Sequence, residues 1–82
     1  MNHEQVIELI GNSAREVLPG LDEHTFRAED RLQELGANSV DKAEIVMMVQ
    51  ERLALSIPRI ELFGPKNVGQ LADLFVTKLR AS

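Results

Sequence analysis

The sequence predicts an all-α fold, a small bundle of three main helices plus one short helix. Three observations carry that expectation. Apolar residues recur at spacings of three and four in successive stretches. Pro and Gly residues punctuate the chain between those stretches. No segment sustains the alternation with period two that a half-buried strand requires.

The first helix is expected from about Glu4 to Leu18. Val6, Ile7, Ile10, Ala14, Val17 and Leu18 form one apolar stripe. Pro19-Gly20 stops it, because proline cannot continue the ladder and glycine accepts left-handed geometry. A long loop follows, from about Gly20 to Ala37. A loop of this length is usually functional or pinned by its own side chains, and Leu21, Phe26, Leu32 and Leu35 are the expected anchors.

The second helix is expected from Ser39 to Leu53. Its apolar residues cover more than one face. Ile45, Val49 and Leu53 form an i, i+4, i+8 row suited to burial, which leaves Val40 and Met47 nearer the surface. A surplus apolar strip on a soluble domain often marks a contact site. After Ile57-Pro58 comes a short helix, about Arg59 to Phe63, ended by Gly64-Pro65. The last helix starts at Asn67, where Asn67-Val68-Gly69-Gln70 reads as an N-cap with a capping-box partner. Val68, Leu71, Ala72, Leu74, Phe75 and Leu79 supply its inner face.

Length and composition limit what this bundle can do. Residues 1–82 are expected to form a single domain. The 44% apolar content suits a core at this size, where only about 60–65% of the unfolded chain's surface is buried. The absence of cysteine excludes disulfides, thiolate metal ligation and a cysteine nucleophile, so any thiol must come from an attached group. The net charge of −4, a pI near 5.0 and scattered Lys and Arg argue against nucleic acid and favour partners with basic patches. No basic-then-apolar leader opens the sequence, and the longest apolar run, Ile45 to Val49, is too short for a bilayer span. A cytoplasmic, soluble monomer is expected, with no membrane partner.

Leu35-Gly36-Ala37-Asn38-Ser39-Val40-Asp41 is the most distinctive segment. Gly36 permits a tight turn, Asn38 or Ser39 can cap the incoming helix, and Asp41 and Glu44 place negative charge in its first turn. A phosphate on Ser39 would meet free backbone N–H groups. Taken alone, a serine at a helix start is ordinarily only a cap.

The surrounding residues change that balance. Leu35 to Asp41, then Glu44-Ile45-Val46-Met47, then Ile57-Pro58, and on through Val68 and Leu71, resemble the acyl carrier protein family over nearly the whole chain. The resemblance implies a carrier rather than an enzyme, with no catalytic residue. It implies that Ser39 receives a 4′-phosphopantetheine arm from coenzyme A through a phosphopantetheinyl transferase, and that acyl groups ride on the arm as thioesters. It further implies partner contacts at Val40 and Met47, and at the acidic positions Asp41, Glu44 and Glu51. Asn38 stands where the family usually has Asp, and Val40 where it usually has Leu. Lys42, Arg52 and Arg59 dilute the acidic face.

Gly36 to Val46 is most similar to free-standing carriers of bacterial polyketide pathways, in particular those of β-branching cassettes. That similarity implies acetyl or malonyl cargo, ketosynthase-like and acyltransferase partners, and donation to an enzyme related to HMG-CoA synthase. A fatty-acid carrier and a nonribosomal peptidyl carrier are the rival readings within the family. Outside it stands an unmodified helical adaptor, binding partners through Val40 and Met47 with Ser39 only a cap.

Other constellations are weaker. His3 and His24 read as solvated surface histidines rather than a metal pair or a catalytic base. A serine hydrolase would require a G-x-S-x-G elbow, which is missing. Gly64 to Gly69 lacks the spacing of a phosphate-binding loop. The Arg27…Arg31 and Lys78…Arg80 charges read as solvated faces, and no metal site is expected.

Overall fold

Four α-helices make up the fold: α1 (His3–Val17), α2 (Ser39–Leu53), α3 (Arg59–Leu62) and α4 (Val68–Ala81). They were obtained as a computed structural model, which describes residues 1–81. No strand occurs among the described residues.

α1 starts where Asn2 and Gln5 form a reciprocal capping box. Asn2 Oδ1 accepts from the Gln5 N–H at 2.8 Å, and Gln5 Oε1 accepts from the Asn2 N–H at 2.9 Å. The Asn-x-x-Gln pattern was the available signal for a start one residue before the expected Glu4. Leu18 takes extended geometry but still donates to the Ala14 carbonyl at 2.8 Å, so it serves as the cap rather than the last helical residue.

The loop contains a 3-10 turn, Leu32–Leu35, absent from the sequence expectation. Its hydrogen bonds are local, and no 3.6-residue stripe exists in so short a run to reveal it. Gly36 closes it at φ +104°, where a side chain would be strained. Leu21 and Leu32 are buried, while Phe26 and Leu35 pack against the core half-buried.

One core joins the main helices. Val6, Ile10 and Ala14 of α1 meet Ile45, Val46 and Val49 of α2 and Val68, Leu71, Ala72, Phe75 and Val76 of α4. α1 packs against both α2 and α4. Phe75, Ile10 and Ile45 are the largest fully buried side chains. Of the expected Ile45, Val49 and Leu53 row, Leu53 remains partly exposed, and Val46 is buried in addition.

The α1–α2 seam has a polar pin. The buried Ser13 hydroxyl donates to the Leu9 carbonyl at 2.9 Å and accepts from Arg52 Nη1 at 2.9 Å. Arg52 Nη2 pairs with Glu16. Arg52 therefore does not dilute the acidic face as expected: its charge is matched by α1 across the seam.

The long loop is strapped to α4. The Val68 N–H donates to the Asp30 carbonyl at 2.8 Å, and the Gly69 N–H to the Ala28 carbonyl at 2.9 Å. A Cβ at Gly69 would lie 2.7 Å from the Ala28 Cβ and 3.0 Å from the Ala28 carbonyl oxygen, so glycine here permits a close backbone approach. Asn67 Oδ1 accepts from the Gln70 N–H at 2.8 Å, but the Gln70 side chain turns to the Lys66 N–H rather than closing the expected box on Asn67.

Neither histidine is simply solvated, which corrects the sequence expectation. His24 Nε2 lies 2.9 Å from Asp30 Oδ2, with its ring edge-on to Phe26 at 4.8 Å. His3 Nε2 lies 3.0 Å from the Gly69 carbonyl and 2.9 Å from Asp73 Oδ1. His3 ties the start of α1 to α4, whereas His24 pins the long loop to itself. Lys78 likewise pairs with Glu61 at 2.6 Å instead of standing in solvent.

Candidate functional site

The site is built from the start of α2. Asn38 is its N-cap: Oδ1 accepts from the Asp41 N–H at 2.8 Å, and Asp41 Oδ2 accepts from the Asn38 N–H at 3.2 Å. The two candidates for the cap are thereby resolved in favour of Asn38. Its amide oxygen does the work that a carboxylate in this position would do.

Ser39 follows as the first helical residue. It is exposed, and its Oγ makes no hydrogen bond among the described residues. A hydroxyl that neither caps nor packs is available for chemistry. The Ser39 and Val40 backbone N–H groups also have no partner among the described residues, whereas Asp41 and Lys42 donate to Asn38 Oδ1 and to the Asn38 carbonyl. Two open donors and the positive end of a 15-residue helix suit a phosphate beside Ser39. Ala37, buried behind the turn, and Gly36 fix the approach of the loop to this point.

The residues singled out for partner contact fall into two groups. Val40, Glu44, Met47 and Glu51 are all exposed, and their spacing of i, i+4, i+7 and i+11 puts them along one face of α2. Val40 is 74% and Met47 59% exposed, large values for apolar side chains on a helix otherwise docked to a core. Asn38 and Asp41 differ: both are engaged with each other in the capping box, so their polar atoms are partly committed to holding Ser39 in place. Arg59 at the start of α3 is exposed.

Two exposed apolar residues on α3, Ile60 at 81% and Phe63 at its C-cap at 72%, did not stand out in the sequence. Their i, i+3 spacing was the signal, but a four-residue helix is too short to define an inner and an outer face. Among the described residues, no group of three or more His, Asp or Glu side chains is placed to hold a metal ion. No helix among them is long and apolar enough to cross a membrane.

Comparisons with known proteins bear on the same region. The family described as phosphopantetheine attachment site matches residues 8–75. The polyketide biosynthesis acyl-carrier-protein AcpK of Bacillus subtilis (strain 168) is 50% identical over 82 residues, the full length of both chains. A chain in the crystal structure of the curacin biosynthetic pathway HMG synthase in complex with acetyl donor-ACP superimposes with a TM-score of 0.87. It is 51% identical, and the match covers 94% of this chain and 99% of that one. With an exposed, unbonded serine at the start of its second helix and a family match spanning most of its length, the chain belongs to the phosphopantetheine-attachment family, the acyl carrier proteins.

Proposed function

We propose that the protein carries acetyl or malonyl groups in a polyketide pathway, as thioesters on a 4′-phosphopantetheine arm joined to Ser39, and donates them to an HMG-synthase-like β-branching enzyme. The observation that carries the attachment point is the Ser39 hydroxyl, exposed and unbonded at the positive end of α2 beside two open N–H donors. The likeness to a chain of the complex between the curacin HMG synthase and its acetyl donor-ACP supports the pathway.

Members of this family are carriers and not catalysts, and the prosthetic arm is their cofactor. The arm supplies the thiol that this cysteine-free chain lacks. The chain's own residues perform three tasks. Asn38 and Asp41 hold the first turn of α2 in place, so that Ser39 Oγ projects from a fixed backbone. The Ser39 and Val40 N–H groups stabilise negative charge next to that oxygen. Val40, Glu44, Met47 and Glu51 offer partners an apolar strip edged by carboxylates, complementary to a basic rim around an apolar socket. Asn38 and Asp41 border that strip at its N-terminal end. The partners in this reading are a phosphopantetheinyl transferase, ketosynthase-like and acyltransferase enzymes, and the β-branching synthase, all met in the cytoplasm by a monomeric carrier.

Intact-protein mass spectrometry tests it. Incubation with coenzyme A, Mg²⁺ and a broad-specificity phosphopantetheinyl transferase should add one phosphopantetheine unit to the parent and none to Ser39→Ala. A folded parent that gains nothing with two different transferases would leave Ser39 without the proposed role.

A further inference from the structure

A crevice next to the start of α2 carries a charge pattern at odds with the rest of this acidic protein. Its apolar wall is Leu32, Pro65, Val68 and Leu71, and two lysines, Lys42 and Lys66, stand on it. No Asp or Glu lines it. Neither ammonium has an acidic partner among the described residues, although Lys78 and Arg52 are both paired. The chain has nine basic residues against thirteen acidic ones, so two unpaired cations on one crevice run against the prevailing charge.

Position explains what they could serve. Lys42 follows Ser39 by three residues on α2, and residues at that spacing are surface neighbours with Cβ atoms about 5–6 Å apart. Lys66 approaches from the other wall, in the linker between α3 and α4, where its N–H is held by Gln70 Oε1 at 2.8 Å. The crevice floor has room for about one water molecule and nothing larger. Whatever the lysines hold must therefore lie at the rim, on the Ser39 side for Lys42.

We infer that Lys42 and Lys66 form a two-point clamp for the phosphodiester of the prosthetic arm, fixing the direction in which the arm leaves Ser39. This inference rests on Ser39 being the attachment point. A phosphodiester attached to Ser39 Oγ has one negative charge at any working pH and lies within the span of a lysine one turn along the helix. The open Ser39 and Val40 N–H groups approach it from the helix end and Lys42 from one turn along α2, while Lys66 faces Lys42 across the crevice. Held on two sides, the arm points along the rim between α2 and the α3–α4 linker rather than sweeping freely.

The test compares apo and holo forms of the parent, Lys42→Gln, Lys66→Gln and a control, Lys78→Gln, whose lysine is already paired with Glu61. Melting temperatures are measured at about 10 mM salt and again at about 1 M, where the Debye length falls from about 30 Å to about 3 Å. At low salt, the change in Tm on going from apo to holo should be less favourable by about 2 °C or more in each clamp variant than in the parent or the control. The difference should vanish at high salt, and the ³¹P resonance of the holo protein should move in the clamp variants but not in Lys78→Gln. Equal apo-to-holo changes in all four proteins, with an unmoved ³¹P resonance, would overturn the clamp while leaving Ser39 as the attachment point. An effect confined to malonyl-loaded protein would overturn it in favour of a site for the cargo carboxylate. Mass spectra of the same samples separate the two failures: no gain of mass means that the attachment reading has failed, and the clamp with it.

Discussion

Exchanging Asn38 and Ser39 separately for alanine distinguishes the residue that caps α2 from the residue that carries cargo. Asn38→Ala removes the acceptor of the 2.8 Å bond from the Asp41 N–H and leaves that donor to water. Loss of an Asn cap costs about 1 kcal/mol. An 82-residue chain unfolds with an entropy of about 0.17 kcal/mol/K, so this loss lowers Tm by about 6 °C. Ser39→Ala removes an exposed hydroxyl with no hydrogen bond among the described residues and puts a better helix former at the first helical position. Its stability change should stay within about 0.5 kcal/mol, or about 3 °C. Thermal melts followed by circular dichroism give the stability difference, and mass spectrometry after transferase treatment gives the loading. The expected pattern is crossed: Asn38→Ala is less stable yet still modified, whereas Ser39→Ala is stable and unmodified. If Ser39→Ala lost as much stability as Asn38→Ala, Ser39 would be part of the cap and its hydroxyl not free.

Three further outcomes follow from the packing and the charges. Gly69→Ala forces a Cβ to 2.7 Å from the Ala28 Cβ and 3.0 Å from a backbone oxygen that cannot swing away. It should cost about 1–3 kcal/mol, and an unchanged melting curve would show that the loop strap is not rigid. Val40→Asp and Met47→Glu change exposed side chains and should keep the helical spectrum while weakening turnover by a partner synthase; loss of the spectrum would show them to be core. Asp30 contributes to the acid limb. Its partial burial alone would raise its pKa, but the Arg27 N–H, the His24 hydrogen bond and the His24 and Arg27 charges together bring it below the ordinary 3.8. A depressed folded pKa stabilises above the unfolded value, and that contribution disappears as pH falls through the folded one. Asp30→Asn should therefore lower stability at neutral pH and flatten its decline from pH 3.8 downward in urea titrations; an unaltered acid limb would rule out this contribution from the Asp30 carboxylate.

Much of the fold was legible in single side chains because helix periodicity, caps and breakers are local. The stripe of Val6, Ile10 and Ala14, the stop at Pro19-Gly20 and the span Ser39–Leu53 needed nothing but neighbours in sequence. The likeness of Leu35 to Asp41 to carrier proteins was legible for the same reason: a turn, a cap and a serine are set within seven residues. The excess of apolar residues on α2 likewise marked Val40 and Met47 as left over, since one helix face cannot bury them all.

What the tertiary structure alone decided concerns partners far apart in the chain. Arg52 looked like a charge on the contact face until α1 brought Glu16 and the Ser13 hydroxyl to it. His3 looked solvated until α4 brought Gly69 and Asp73 alongside. Lys42 and Lys66, 24 positions apart, share a crevice only because the α3–α4 linker returns to the start of α2. The physical reason is common to all three. A sequence fixes what each group can do and which neighbours lie within a turn of it, while pairing between distant groups depends on helix packing that no local pattern encodes.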